Sequence, residues 1–154
     1  MAPIKIRSGP IRVPNHEEYL GFDGAHCKIL YAGLSKDWTC PGCGRSRYQI
    51  LRWTLIYPKR PDRHEGWAAG LHTHHDHGGD APALFFGRAP ARFKPVVICE
   101  QCNSADATAK RKLGLRKDFS FSPLEMRQFV RATPHGFHHI DYDLALRIYT
   151  NAVG

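Results

Sequence analysis

Apolar residues in this chain come in short blocks cut off by glycine and proline, and each block predicts one small element. From Met1 to about Asp37, Pro3, Pro10 and Pro14 discourage regular structure, so this stretch reads as an irregular arm with a short helix around Asn15 to Leu20. The run from Arg47 to Tyr57 is rich in β-branched and aromatic residues and is stopped by Pro58, which predicts a strand. The polar stretch Lys59 to Gly66 reads as a loop, and Trp67 to Thr73 as a second strand that runs into a cluster of histidines. Gly78, Gly79, Pro82 and Pro90 mark a long irregular connection, after which Val96, Val97 and Ile98 form a short apolar strand ending at Cys99. Asn103 to Leu113 has helical composition, with Gly114 placed to end it in a left-handed cap. Ser122, Pro123 and Glu125 form the start of a capped helix running to about Thr133, with Leu124, Phe129 and Val130 on its inner side. Tyr142 to about Asn151 forms a last helix that uses Leu144, Leu146 and Ile148 as cover.

A length of 154 residues fits one domain, with an arm at 1–37, a central portion at 38–115 and a C-terminal helical extension at 116–154. Hydrophobic content of 42% supports a core, while 11 prolines and 14 glycines favour short elements, so the expected class is a loop-rich α+β domain. No run approaches the roughly 18 apolar residues of a membrane span. The first residues, Met1 to Arg7, lack the apolar segment of a secretory signal, and the expectation is a cytoplasmic protein with no membrane partner. Twenty-two Lys and Arg against 14 Asp and Glu give a net charge of +8, a balance that favours polyanions such as nucleic acid.

Four of the five cysteines fall in two Cys-x-x-Cys pairs, Cys40/Cys43 and Cys99/Cys102. In a reducing compartment that spacing reads as metal ligation rather than disulfides. Each such turn places two sulfurs on one side of an ion, and two turns complete the tetrahedron of a structural Zn2+ site. Pro41 and Gly42 favour a tight first knuckle, and the odd cysteine, Cys27, reads as a buried thiol.

The run Leu71-His72-Thr73-His74-His75-Asp76-His77 is too rich in imidazole for ordinary surface chemistry. With Cys-x-x-Cys before it, and Val97-Ile98-Cys99-x-x-Cys102-Asn103 and a short helix after it, the stretch from Cys40 to Leu113 resembles the HNH (ββα-metal) nucleases. It is most similar to the phage recombination endonuclease VII family. The resemblance implies a small ββα-metal core stapled by the four-cysteine zinc. His75 would be the general base that activates water, and His74 and Asn103 the ligands of a catalytic Mg2+ or Mn2+. It also lends Asp106, at an acidic position of that pattern, a weaker place beside the ion, which competes with an ordinary first-turn helix carboxylate. Such chemistry suits phosphodiester hydrolysis, which needs a base working near neutral pH and a cation to neutralise charge on the departing oxygen. The expected partner is DNA, double-stranded or branched, and symmetric cutting would call for a homodimer.

Two other readings remain open. His72-x-His74-x-Asp76-His77 also fits the signature of metallo-β-lactamase-like hydrolases, although no histidine follows His139 to complete that fold's ligand set. The third reading is a zinc-bound nucleic-acid-binding module without catalysis. Candidate phosphate contacts are Arg45, Arg47, Lys59, Arg60 and Arg63 around the first strand, and Lys110, Arg111, Lys112, Arg116 and Lys117 around the central helix. His135, His138 and His139 are conspicuous but read as capping or core residues without chemistry.

Overall fold

The structure, a computed structural model, describes residues 10–76 and 91–154. Met1 to Gly9 of the arm, His77 and the irregular connection at 78–90 lie outside the described residues. The described chain is α+β, with short helices and three separate two-stranded antiparallel sheets.

In the arm, α1 (His16–Gly21) starts where expected, because Asn15 and Glu18 cap it reciprocally. A second helix, α2 (Lys28–Ala32), has no counterpart in the sequence pattern; it delivers the buried ring of Tyr31 to the core. The expected strand from Arg47 is also corrected. Its first turn is helical, α3 (Arg47–Ile50), because Ser46 and Gln49 form a capping box that wins over the β preference of the run. The strand proper is β1 (Arg52–Ile56).

β1 pairs with β2 (His64–Ala68), so part of the expected loop is strand. Trp53 opposite Trp67 explains this, since the rings meet edge-on at 5.1 Å and favour the ladder. The expected second strand is split at Ala69 and Gly70, where the Gly70 carbonyl accepts the Glu100 N–H at 2.8 Å. A side chain at Gly70 would sit 2.7 Å from the Glu100 Cβ, so this crossing needs glycine.

After that break, β3 (Leu71–His74) pairs antiparallel with β4 (Val96–Cys99), Leu71 opposite Cys99 and His74 opposite Val96. β4 runs without a loop into α4 (Glu100–Leu113), which ends at Gly114 with φ +64° and ψ +35°. α5 (Pro123–Phe129) begins at its Ser122 cap but stops early, as Val130–Arg131 turns into β5 to pair with β6 (His139–Ile140). Phe129 and Val130 are buried as expected, but Leu124 is 74% exposed and Met126 takes its place, completing the i, i+3, i+4 stripe with Phe129 and Val130. On α6 (Tyr142–Val153), Ala145 is buried while Leu146 faces outward.

α4 packs against β3, β4, α5 and α6, which makes it the central element. Ile98, Leu51, Phe121, Met126 and Phe129 are fully buried around it, in one cluster with Cys40, Cys99 and Cys102. Among the described residues, no helix is long and apolar enough to cross a membrane.

Candidate metal centre

The first cysteine pair sits on a knuckle closed by Cys40 N–H to the Arg45 carbonyl at 2.8 Å and Gly44 N–H to the Cys40 carbonyl at 2.7 Å. Gly44 takes the left-handed conformation that this turn requires, at φ +79°. The second pair occupies the corner where β4 becomes α4, with Cys99 as the helix cap residue and Cys102 in the first turn. The knuckle lies so close to this corner that a Cβ on Gly42 would meet the Cys102 Sγ at 2.8 Å.

The four sulfurs all lie within 4.8 Å of one another, with Cys40–Cys102 and Cys43–Cys99 each at 3.8 Å. A tetrahedron with Zn–S bonds near 2.3 Å has edges of about 3.8 Å, so the four thiols are placed to hold a metal ion such as zinc. Cys27 stands apart, half-buried, with its Sγ 3.7 Å from the Leu71 carbonyl.

The thiols do not ionise alike. The contact with Cys102 lowers Cys40 to about 7 and draws Cys43 well below the ordinary thiol range. Contacts with Cys40 and Cys43 push Cys102 up. At this spacing two sulfurs gain charge at the expense of their neighbours, and a divalent cation is what allows all four to be thiolates.

Two basic side chains attend the sulfurs. Arg45, 4% exposed, donates from Nε to Cys43 Sγ and from Nη2 to Cys99 Sγ, each at 3.4 Å. Its Nη1 reaches the carbonyls of Thr133 and Gly136 at 3.1 and 3.3 Å. Burial disfavours its charge, but the negative sulfurs of Cys99 and Cys43 outweigh burial and hold the guanidinium charged. His138 places Nε2 3.4 Å from Cys102 Sγ and 3.9 Å from Cys99 Sγ, and contacts with Cys43 and Cys99 likewise outweigh its burial and raise its pKa. Both roles correct the sequence reading, which gave His138 no chemistry and Arg45 a phosphate. No spacing rule links either residue to the cysteines; His138 arrives through the β5–β6 turn, 36 residues past Cys102.

The histidine run lies at the far end of β3. His72 and Thr73 are exposed, His75 is half-buried just past the strand, and His74 is 2% exposed. The His74 ring stacks on Phe93 at 5.0 Å and its Nε2 lies 2.7 Å from the Phe121 carbonyl. A carbonyl only accepts, so Nε2 carries a proton in this contact, and in a neutral ring Nδ1 then keeps the lone pair. Asp76 is buried and accepts the Arg92 N–H at 2.8 Å.

Asn103 is half-buried on α4, directly after Cys102. Asp106, one turn on, is buried, with Oδ1 accepting the Phe121 N–H at 2.8 Å and Oδ2 paired with Lys110 at 2.9 Å. Both of its oxygens are thus engaged by protein groups. Among the described residues, the four cysteines are the one group of three or more His, Cys, Asp or Glu side chains close enough to share an ion. His72, His74 and Asp76 form no such group, and His77 lies outside the described residues.

Several of the candidate phosphate contacts are spoken for. Lys110 is held by Asp106 and the Phe119 carbonyl, Arg116 pairs with Asp118, Arg60 with Asp62, and Arg47 lies over Tyr31. Lys59, Arg63, Arg111, Lys112 and Lys117 are exposed. No family model, curated protein or solved structure matches this chain.

Proposed function

We propose that this chain is a metal-dependent endonuclease of the ββα-metal kind that hydrolyses phosphodiester bonds of DNA. The observation that carries the reading is the β3–β4 hairpin running straight into α4, with His74 and His75 where β3 leaves the ladder for its connection to β4, and Asn103 in the first turns of the helix. The cysteine corner at Cys99 to Cys102 joins the two, so a structural zinc would hold strand and helix in fixed relation.

In this proposal His75 takes the proton of the attacking water, a task suited to imidazole near neutral pH. His74 through Nδ1 and Asn103 through its amide oxygen would hold a divalent cation, Mg2+ or Mn2+. When bound, that cation supplies neutralising charge for the phosphate and the departing oxygen. A one-imidazole, one-amide donor set leaves positions open for water and phosphate oxygens. A net charge of +8 and the exposed Arg111, Lys112 and Lys117 at and after the end of α4 favour approach of a polyanion.

The test is cleavage of supercoiled plasmid with Mg2+, Mn2+ or EDTA. Nicking or linearisation should require the cation and fall about 10²–10⁴-fold in His75→Ala, with zinc content and fold unchanged. Equal cleavage by clean His75→Ala protein would remove the base assignment. The second reading, a zinc-bound DNA-binding module without catalysis, is favoured by the engagement of both Asp106 oxygens. Binding of plasmid, single-stranded and branched DNA with no cutting of any would decide for it.

A further inference from the structure

The segment 119–121 belongs to the stretch after α4, yet its backbone is gripped by side chains of the hairpin and the helix. Lys110 Nζ donates to the Phe119 carbonyl at 2.7 Å, and Arg92 Nη1 to the Ser120 carbonyl at 2.8 Å. Phe121 gives its N–H to Asp106 at 2.8 Å and takes the His74 Nε2–H at 2.7 Å. Phe119, Ser120 and Phe121 are all buried, and the two bonds of Phe121, to Asp106 and from His74, work in a poorly solvated setting. The gripping groups are themselves braced, Lys110 by Asp106 at 2.9 Å and Arg92 by Glu125 at 2.7 Å.

A carbonyl fixed in this way dictates which ring nitrogen of its partner carries hydrogen. The stacked ring of Phe93, inclined by 17°, restrains the imidazole plane as well. We propose that segment 119–121 is a positioning element for the hairpin's cation end: the Phe121 carbonyl holds His74 as the Nε2–H tautomer, so that Nδ1 is the atom offered to a divalent cation. This rests on the nuclease reading for the presence of that cation. Asp106 is then a positioning residue that acts through the Phe121 N–H, and Lys110 one that acts through Asp106 and the Phe119 carbonyl, which accounts for an acidic residue on α4 with no oxygen to spare. A backbone carbonyl behind an imidazole ligand also raises the basicity of the ligating nitrogen.

The test is ring-nitrogen NMR of the histidines in the full, zinc-loaded chain, with Mn2+ as the added probe. Soft thiolates keep zinc against Mn2+, so the probe reports on the hairpin alone. Expected is the Nε2–H tautomer alone at His74, with Mn2+ broadening at its Nδ1 and at the Asn103 amide. Lys110→Met and Asp106→Ala should mix the tautomers and weaken Mn2+ binding about tenfold or more, while Asp106→Asn, which keeps an acceptor for Phe121, should stay near wild type. An Nδ1–H tautomer in the wild-type chain overturns the proposal. So do variants that melt earlier yet keep both tautomer and Mn2+ affinity. Broadening at Asn103 with His74 silent overturns it, and with it the ligand role of His74, while sparing a catalytic cation at Asn103 and the His75 base; broadening at neither overturns both.

Discussion

Arg45 stands between two demands that only a guanidinium meets together. It faces the sulfurs of Cys43 and Cys99 and, with its other edge, the carbonyls of Thr133 and Gly136. A zinc ion with four thiolates carries a formal charge of minus two, which the buried guanidinium of Arg45 would partly offset. Removing Arg45 therefore leaves the sulfurs of Cys43 and Cys99 and the carbonyls of Thr133 and Gly136 without this partner. Arg45→Met should cost about 3 kcal/mol or more in thermal unfolding and speed zinc transfer to a chelator. Arg45→Lys should recover little, since one ammonium cannot span four acceptors. A methionine variant that melts and holds zinc like the wild type would assign the charge balance elsewhere.

Elements in this chain are set by their ends more than by their middles. α4 stops at Gly114, whose φ of +64° is open to glycine and strained for other residues, and a Cβ there would meet nothing within 4 Å. Gly114→Ala therefore isolates the backbone cost from packing, and it should destabilise by about 1 kcal/mol, lowering the melting temperature by roughly 2–4 °C for a domain of this size. An unchanged melting temperature would mean that the helix end yields without cost. End signals are also what make elements legible from sequence: Gly114, the Ser122 to Glu125 box and the Asn15 start are local, and each marks a helix end in the structure. The box at Ser46 to Gln49 is hidden inside a run of strand-forming residues, and α3 with it. At the candidate site, the cysteine pairs announce themselves because two ligands of one ion sit three residues apart. Arg45 and His138 give no such sign. Their roles exist only after β5 and β6 bring 133–138 against the cysteine corner.

At the scale of the whole molecule, the cysteine corner is where the arm-side knuckle, the hairpin, α4 and the C-terminal segment meet. Cys40 and Cys43 come from the knuckle after the arm, and Cys99 and Cys102 from β4 and α4. Arg45 and His138 reach the same corner from opposite sides in sequence, and Arg127 on α5 donates to the Cys40 carbonyl at 3.2 Å. Cys40, Cys99 and Cys102 belong to the same buried cluster as Tyr31 of α2 and Ala145 of α6, so the corner and the apolar core are one unit. A zinc ion held by four cysteines contributes on the order of 10 kcal/mol or more to folding, whereas the net stability of a domain is about 5–15 kcal/mol. Without the cation, contacts with Cys40 and Cys43 also push Cys102 away from its charged form. Chelation at neutral pH should therefore unfold the described elements together, with helical circular dichroism and amide protection in α4 and α6 lost in one transition and recovered on adding zinc. If α6 kept its protection while the hairpin lost it, the C-terminal segment would fold on its own, and segment 119–121 would dock onto the hairpin rather than fold with it.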